Sequence, residues 1–287
     1  MKKIVYQGTS GAYSHITGLK FFGKNNLFLG KKEFKNIFED VDKNKADFAI
    51  VPIENSLAGS VYENYDYLDK YNVEVVGEIY LRIKHNLLGI KIKNLPLNQR
   101  LKLIQKVYSH PKALEQCQKF FENYPWIEKV NFYDTATSAE FVKKSENISL
   151  GAIASKLAGK IYNLDIILAG IEDDKNNYTR FLIVQKRKNK NLTIPSKANK
   201  CSLIFSLKHK PGTLYKALAV LAQFQVNLTK IESRPIIGKP FEYKFYVDFE
   251  FNSKIKNKLE EILNIFKKQT TKLKVLGYYS KGKYVVE

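Results

Sequence analysis

The sequence is poor in the residues that hold metals and disulfides. It contains two cysteines, Cys117 and Cys201, and four histidines in 287 residues. Cysteines so far apart form neither a zinc-binding spacing nor a disulfide framework, so we expect no metal and a reducing, cytoplasmic setting. No apolar run approaches the roughly 20 residues of a membrane span. The first residues, Met1-Lys2-Lys3, lead into a strand pattern rather than a signal-peptide core. We therefore expect no membrane partner.

Positive charge is what the chain has in excess. The formal net charge is +20, while hydrophobic residues make up 44% and aromatic residues 13%, a composition that excludes a mostly disordered protein. Clustered lysines would indicate a nucleic-acid binder. The lysines here are scattered, with no recognition helix or aromatic platform around them. We interpret them as solvated surface, expect no nucleic-acid partner, and expect the positive field to speed capture of a small anion.

Three regions of the chain differ in pattern. Residues 1–185 alternate strand-like and helix-like segments, which predicts an α/β domain with ligand groups at the strand ends. Residues 186–199 are polar and charged, contain Pro195 and have the composition of a linker. Residues 200–280 read strand, helix, strand, strand, helix, strand, which is the ferredoxin-like βαββαβ order.

Local signals in the first region predict where its elements begin. Lys3 to Gln7 reads as a strand that leads through a glycine turn into a helix. Pro111 is well placed in the first turn of a helix that we predict to run to about Glu122, because its missing N–H costs nothing there. Asp134 or Thr135 is expected to cap the following helix.

Five polar patches lie where predicted strands meet loops or helices. Each places hydroxyls, amides or a carboxylate beside glycine or proline, and so many patches within the first region suggest one cleft lined from several segments. They are Gly8-Thr9-Ser10-Gly11-Ala12-Tyr13-Ser14-His15, Val51-Pro52-Ile53-Glu54-Asn55-Ser56-Leu57-Ala58-Gly59, Ser109-His110-Pro111-Lys112-Ala113-Leu114-Glu115-Gln116-Cys117, Asp134-Thr135-Ala136 and Thr179-Arg180-Phe181.

Taken singly, each patch has a plain structural interpretation. The run Glu54-Asn55-Ser56 offers acidic, orienting and anchoring groups, but it also fits a capped loop with Asn55 in a turn. His110 could act as a base, yet no partner pattern accompanies it, so we favour a role in helix entry or local hydrogen bonding. Cys117 is expected to be a small buried hydrophobe.

The strand entered at Thr179 offers a clamp for a carboxylate. Arg180 can bind a carboxylate through two parallel hydrogen bonds, and Phe181 supplies an apolar wall. Strand alternation places Thr179 and Phe181 on one face and Arg180 on the other. Either Arg180 faces the structure or the strand is irregular there.

Together the patches resemble the motif set of prephenate dehydratases, in the same order along the chain. The stretch from Ile171 to Phe181 resembles the region of the family's Thr-Arg-Phe signature, although Glu172 stands where glutamine is common. The resemblance implies two α/β lobes like those of a periplasmic binding protein, with the active site between them. By motif position it implies catalytic roles for Glu54, Asn55, Ser109, Gln116 and Thr179. Ser14 and Ser56 lie in matching motifs without an assigned role. With Thr135, Arg180 and Phe181 they are the residues that we expect to bind substrate.

The reaction implied is the decarboxylating dehydration of prephenate to phenylpyruvate in phenylalanine biosynthesis. Aromatisation drives it, so no cofactor is expected. The protein must orient the leaving hydroxyl, assist its protonation and hold the pyruvyl carboxylate. Thr179 is too weak an acid to supply the proton alone, so we expect it to hydrogen-bond the leaving oxygen. Glu54 is the expected proton source if burial raises its pKa.

The last region resembles the ACT regulatory domain of the same family. Glu232-Ser233-Arg234-Pro235 matches a family motif in full, and Lys210-Pro211-Gly212-Thr213-Leu214 resembles its Gly-Ala-Leu loop, with Thr213 in place of alanine. Taken alone, the glycine fits a common turn and the Glu-Arg pair a salt bridge. The resemblance implies that Pro211, Gly212, Thr213, Leu214 and residues 232–235 bind the effector phenylalanine between subunits. A homodimer or homotetramer is therefore expected.

Two other functions remain open at this point. Arogenate dehydratases differ in substrate by an amino group in place of a keto oxygen, which the sequence does not separate. A non-catalytic sensor of aromatic acids would keep the cleft and the regulatory domain. No chorismate mutase module is visible before the first predicted strand, so we expect a monofunctional enzyme.

Overall fold

The computed structural model describes residues 1–189 and 192–287 and has the predicted α/β architecture. The strands in these ranges are β1 (Lys3–Gln7), β2 (Leu27–Lys31), β3 (Phe48–Asn55), β4 (Gly59–Ser60), β5 (Val73–Arg82), β6 (Asn86–Gly89), β7 (Lys106–Ser109), β8 (Glu128–Asn131), β9 (Leu150–Ala154), β10 (Asp165–Ala169), β11 (Tyr178–Lys186), β12 (Lys200–Ser206), β13 (Asn227–Ile236), β14 (Lys239–Glu250), β15 (Lys272–Tyr279) and β16 (Tyr284–Val285). The helices are α1 (Tyr13–Phe22), α2 (Phe34–Asp42), α3 (Tyr62–Lys70), α4 (Leu97–Leu103), α5 (Pro111–Glu115), α6 (Gln118–Asn123), α7 (Thr135–Ser145), α8 (Lys156–Ile161), α9 (Thr213–Gln223) and α10 (Ser253–Lys268).

The chain divides into two compact units. The first contains residues 1–64, 79–182 and 283–287, and the second contains residues 65–78 and 183–282. Lys190 and Asn191 of the predicted linker lie outside the described residues.

Two sheets are built from the strands up to Lys186 and from β16 near the carboxyl terminus. One has the strand order β16-β5-β11-β3-β1-β2, with β4 added to β3. Its β1 is parallel to both β2 and β3, and parallel neighbours require crossover connections, which α1 and α2 supply. The other has the order β10-β6-β9-β7-β8, in which β7 is parallel to β8 and β9 while β6 is antiparallel to β9 and β10. Polar groups at the strand ends and helix starts of both sheets can therefore face a common cleft.

A glycine permits close packing within the first unit. Gly11 has φ 93°, and a Cβ atom there would lie 2.7 Å from the Cα atom of Ala158. Only glycine tolerates both the left-handed backbone and this approach. The Ser155 hydroxyl donates to the Gly11 carbonyl oxygen at 2.6 Å, which ties the turn before α1 to the start of α8.

The second unit contains the βαββαβ order predicted for residues 200–280. Its antiparallel sheet has the order β13-β14-β12-β15, and α9 and α10 pack with it around a core that includes Phe205, Phe249 and Phe266. Each fully buried aromatic side chain of this kind contributes about 1.5–3 kcal/mol. The ferredoxin-like prediction is confirmed.

The helix predicted from Pro111 to Glu122 is interrupted, so that prediction was wrong in its length. The first helix ends at Glu115, and α6 begins at Gln118 after Cys117 departs from helical backbone angles. The carboxylate of Asp173 accepts hydrogen bonds from the N–H groups of Gln118 and Lys119 at 2.8 and 3.0 Å. A carboxylate from a distant part of the chain thus satisfies the start of a second helix, which the local sequence does not reveal.

Candidate active site

A cavity of about 230 Å³ lies in the first unit, at the ends of strands from both sheets. The first residues of helices α1 and α7, Tyr13 and Thr135, line this cavity. The N–H groups at a helix N-terminus favour a negatively charged ligand. Lys112 adds a positive side chain to the lining and Asp134 a negative one. The lining residues are Gln7, Ala12, Tyr13, Ser14, Pro52, Asn55, Ala58, Val61, Ile83, His85, His110, Lys112, Ala113, Gln116, Asp134, Thr135, Thr179 and Phe181.

Asn55 fixes the hydroxyl of Thr179 in this cavity. The side-chain oxygen of Asn55 accepts from the N–H groups of Leu57 and Ala58 at 3.0 and 2.8 Å. This turn holds the amide so that Nδ2 points the other way, and Nδ2 donates to Thr179 Oγ1 at 3.0 Å. Because Thr179 Oγ1 accepts that bond, its own proton is available for donation to a ligand. Asn55 thus forms the turn and also lines the cavity, and its catalytic role stays a prediction.

Asn177 links this pair to Gln116. Asn55 Nδ2 also donates to Asn177 Oδ1 at 2.7 Å, and Asn177 Nδ2 donates to Gln116 Oε1 at 2.8 Å. Asn177 is fully buried, so its amide reaches the cavity only through these neighbours. The arrangement is a chain of oriented amides that ends at one hydroxyl.

His85 and Tyr13 extend the same chain, and the sequence reasoning missed both. His85 Nε2 lies 3.0 Å from Gln116 Oε1, and its Nδ1 lies 3.0 Å from the hydroxyl of Tyr13, which donates to the Lys84 carbonyl at 2.8 Å. His85 is 2% exposed, and this burial lowers the pKa of its imidazole. Burial also raises the pKa of the Tyr13 hydroxyl well above its usual value. No local pattern marks His85, because both partners of its ring are distant in the sequence.

Ser14, Thr135 and Phe181 also line the cavity, as the resemblance implies. Arg180 is buried and lies outside the lining, as alternation along a regular β11 predicts. Its proposed contact with substrate stays a prediction.

Three other implied site residues also lie outside the cavity lining. The fully buried Ser109 donates its hydroxyl to the Ile153 carbonyl at 2.7 Å, which joins β7 to β9. Ser56 donates to the Asn176 carbonyl and accepts from the Tyr178 N–H, both at 2.9 Å. Glu54 is half-buried and precedes Asn55 on β3. The catalytic roles of Glu54 and Ser109 and the binding role of Ser56 stay predictions.

Glu172 contacts this network through the backbone of His85. Its buried carboxylate accepts from the His85 N–H at 2.9 Å and lies 3.5 Å from the guanidinium of Arg82. A carboxylate at this position therefore has both a hydrogen-bond donor and a cation, which offsets part of the cost of burying its charge.

His110 and Cys117 have the local roles that the sequence favoured. His110 is the N-cap of α5, and its Nδ1 accepts from the Lys112 N–H at 3.1 Å. Burial lowers the pKa of its ring. Cys117 is fully buried, and this burial raises the pKa of its thiol, so it is an inert apolar side chain.

The residues implied in effector binding lie in two segments of the second unit. Pro211 and Gly212 are exposed before α9, where Gly212 has φ 77° as the N-cap, and Thr213 and Leu214 begin the helix. Thr213 donates its hydroxyl toward the Lys208 and Lys210 carbonyls at 3.0 and 2.9 Å.

The second segment lies on β13, which is an edge strand of its sheet. Along it, Glu232 and Arg234 alternate with the more exposed Ser233 and Pro235. Arg234 forms a 2.7 Å ion pair with Asp66. The arginine of the motif thus has a partner in α3, which the sequence did not indicate.

Neither a metal site nor a membrane-spanning helix occurs in the described part of the chain. Among residues 1–189 and 192–287, no group of three or more His, Cys, Asp or Glu side chains is placed to hold a metal ion. Within the same ranges, every helix is too short or too polar to cross a bilayer.

The fold and the cavity define a class of protein: an α/β protein with two sheets, a cavity of small-molecule size at their strand ends, and a ferredoxin-like domain after them. Family models agree, since the prephenate dehydratase model matches residues 4–189 and the ACT domain model matches residues 202–267. The chain belongs to the prephenate dehydratase family. Its first region has the periplasmic-binding-protein-like fold of that family, and an ACT domain follows it.

Two relatives that match nearly all of this chain support the same assignment, and a solved structure shares its fold. The prephenate dehydratase of Methanocaldococcus jannaschii is 38% identical over 97% of this chain and 98% of its own length. An arogenate dehydratase/prephenate dehydratase of Arabidopsis thaliana is 38% identical over 96% of this chain and 71% of its own length. The structure of a prephenate dehydratase from Arthrobacter aurescens in complex with L-Phe aligns with a TM-score of 0.84 at 23% identity, covering 96% of this chain and 89% of that one.

Proposed function

We propose that this protein converts prephenate to phenylpyruvate, carbon dioxide and water. One observation carries the proposal: the Thr179 hydroxyl faces the cavity while Asn55 occupies one of its acceptor positions at 3.0 Å. A hydroxyl held in this way donates its proton to an oxygen in the cavity. The family supplies that oxygen, because the substrate named for the relatives carries a leaving hydroxyl.

The reaction is a 1,4-elimination in which the electrons of the departing carboxylate aromatise the ring and expel the hydroxyl. The leaving oxygen takes up one proton, so prephenate and a proton give the three products. Thr179 orients and stabilises this oxygen as its charge develops. The helix N-termini and Lys112 favour the substrate's carboxylates, and Phe181 contacts the ring. The resemblance implies Glu54 as the proton source, and because its side chain lies outside the cavity lining, this role needs a proton relay to reach the leaving oxygen.

Two replacements of Thr179 test the proposal. Thr179→Val keeps the shape of the side chain and removes the hydroxyl, so kcat should fall by about 10²–10³ while KM changes by less. Thr179→Ser is the matched control, because it keeps the hydroxyl that Asn55 holds, and it should retain most of kcat. Both are measured as phenylpyruvate formed from prephenate. A Thr179→Val enzyme with the kcat of wild type would remove Thr179 from the mechanism.

Arogenate is the alternative substrate, supported by the Arabidopsis relative that is named for both activities. The two substrates differ only in an amino or a keto group on the side chain. Comparison of kcat/KM for prephenate and arogenate with one enzyme preparation decides between them. Binding of prephenate without turnover of either substrate would instead identify a sensor of aromatic acids.

Phenylalanine is the proposed effector of the ACT domain. The resemblance implies that residues 211–214 and 232–235 bind this effector. The structure of the Arthrobacter aurescens prephenate dehydratase in complex with L-Phe supports the proposal. In this chain Arg234 is held by Asp66 at 2.7 Å. Asp66→Asn should release Arg234 and change the dissociation constant of phenylalanine, which titration calorimetry measures. Unchanged phenylalanine binding would separate the Arg234–Asp66 pair from the effector site.

An assembly of two or four chains is part of this proposal. The strand β13, which carries Glu232-Ser233-Arg234-Pro235, lies at the edge of its sheet, where a second chain can pair. We further propose a catalytic domain of residues 1–185, a linker of residues 186–199, an ACT domain of residues 200–280 and a cytoplasmic location. The location is supported by two buried cysteines that form no disulfide. Mass measurement in solution with and without phenylalanine tests the assembly.

A further inference from the structure

We infer that His85 is a positioning residue of the proposed dehydration site: it holds the carbonyl oxygen of Gln116 and thereby presents the amide nitrogen of Gln116 to the substrate. The inference rests on the proposed function. His85 lines the same cavity as Gln116 and Thr179, and its ring lies between Tyr13 and Gln116.

The orientation of the amides can be deduced from the backbone. The N–H groups of Leu57 and Ala58 donate to Asn55, so the accepting atom must be its oxygen. Asn55 Nδ2 then faces Asn177 at 2.7 Å. A donor facing an amide at that distance requires the oxygen of Asn177, which leaves Asn177 Nδ2 on its other side.

The same deduction extends to the histidine. Asn177 Nδ2 donates to Gln116 at 2.8 Å, so the accepting atom of Gln116 is Oε1. His85 Nε2 lies 3.0 Å from that oxygen. An oxygen cannot donate, so Nε2 of His85 must carry the hydrogen. The tautomer of His85 is therefore set by two backbone N–H groups through three side-chain amides.

The surroundings of His85 hold the ring in place. The single proton of the Tyr13 hydroxyl is shared between Nδ1 at 3.0 Å and the Lys84 carbonyl oxygen at 2.8 Å, and the backbone N–H of His85 donates to the Glu172 carboxylate at 2.9 Å. Burial lowers the pKa of the imidazole, so the ring is neutral near pH 7. The neutral Nε2–H tautomer and the imidazolium both donate to Gln116, so the positioning does not depend on titration of the ring.

The consequence is chemical selectivity at Gln116. Its oxygen takes hydrogen bonds from His85 and Asn177, which leaves its NH₂ group as the end for a ligand. A glutamine without these partners can flip its amide and present an oxygen, which would repel a carboxylate or a developing oxyanion. By holding the oxygen of Gln116, His85 and Asn177 thus make its NH₂ group a donor toward the negatively charged groups of prephenate.

Three variants separate this role from a structural one. His85→Leu keeps an apolar volume but removes the donor, so kcat/KM for prephenate should fall by about 10- to 100-fold. His85→Gln can place an amide N–H near the position of Nε2 and should recover kcat/KM to within about fivefold of wild type. His209→Gln, at an exposed histidine of the second unit, is the matched control, assayed without phenylalanine. Glutamine does not titrate, so it can replace a hydrogen-bond donor but not a general acid or base. Recovery of kcat/KM by His85→Gln at every pH therefore indicates positioning.

Nitrogen NMR of histidine-labelled wild-type protein tests the hydrogen bond without turnover. The signal that disappears in His85→Gln should belong to a ring protonated at Nε2 near pH 7. A ring protonated at Nδ1 would overturn this inference and leave the proposed function intact. A folded His85→Leu protein with the kcat/KM of wild type would do the same. A folded His85→Gln protein as inactive as His85→Leu would also overturn it. Absence of turnover by wild type would instead overturn the proposed function, and the catalytic meaning of His85 would fall with it.

Discussion

Replacing Asn55 with aspartate removes two N–H donors and changes almost nothing else in shape. The bonds that the side-chain oxygen accepts from Leu57 and Ala58, at 3.0 and 2.8 Å, are available to a carboxylate. The donations to Asn177 Oδ1 at 2.7 Å and to Thr179 Oγ1 at 3.0 Å are lost. In their place an oxygen faces the oxygens of Asn177 and Thr179 and the Tyr178 carbonyl oxygen, which lies 3.2 Å from Asn55 Nδ2. The Thr179 proton is drawn toward the new carboxylate.

The expected loss follows from these contacts. A buried acceptor left without its donor costs about 1–3 kcal/mol, and Thr179 would donate to residue 55 rather than to substrate. Loss of one preorganised donor at a reacting oxygen costs about 10²–10³ in kcat. We therefore expect Asn55→Asp to lower kcat at least 100-fold, which corresponds to an increase of about 2.7 kcal/mol in the activation free energy.

The assay is phenylpyruvate formation from prephenate, with thermal unfolding measured on the same samples. Asn176→Asp is the matched control, because it makes the same chemical change at an exposed asparagine next to Asn177. A folded Asn55→Asp protein with a kcat within about threefold of Asn176→Asp, well short of the expected donor loss, would refute the reasoning that Asn55 orients Thr179.

Three further predictions concern stability and reactivity. Lys200 and Glu78 form a 2.9 Å ion pair with side chains at most 2% exposed, so Glu78→Gln should lower the free energy of unfolding by about 3–5 kcal/mol in denaturant titrations. The double variant with Lys200→Met should lose less, and equal losses would contradict the pairing. Cys117 and Cys201 are buried with raised thiol pKa values, so mass spectrometry should find neither alkylated by iodoacetamide in the native protein and both after unfolding. Burial lowers the pKa of His85, so the unfolded chain takes up its proton at a higher pH. Stability should therefore fall as pH drops below about 6.5, and the fall should be smaller in His85→Gln; identical pH dependence of the two proteins would show that the ring is not desolvated.

Regular elements with strong local patterns were predictable from the sequence. The strand Lys3–Gln7 has the predicted bounds, and Asp134 caps α7 as expected, accepting from the Thr137 N–H at 2.7 Å. The missed strand Leu27–Lys31 contains a glycine and is partly exposed along its length. It forms because β1 pairs with it, a long-range contact with little local signal.

The candidate site was only partly predictable for a related reason. The residue patterns predict a turn at Asn55 and place Thr179 on one face of a strand. Only the family resemblance predicts that both residues belong to one site. The hydrogen bond between them joins positions far apart in the chain. His85 had no motif to mark it, because its role is defined by Gln116 and Tyr13, and neither lies near it in the chain. Alternation in β11 did predict that Arg180 would face away from Thr179.

Formation of phenylpyruvate by the purified chain tests the central claim most directly. Prephenate and arogenate are supplied separately to wild-type and Thr179→Val proteins, and the product is measured as phenylpyruvate from prephenate or as phenylalanine from arogenate. The prephenate assay is run with and without added phenylalanine. Wild type should turn over prephenate, phenylalanine should suppress this turnover, and Thr179→Val should lose most of it. Absence of turnover with both substrates, in a folded protein that binds prephenate, would contradict the central claim.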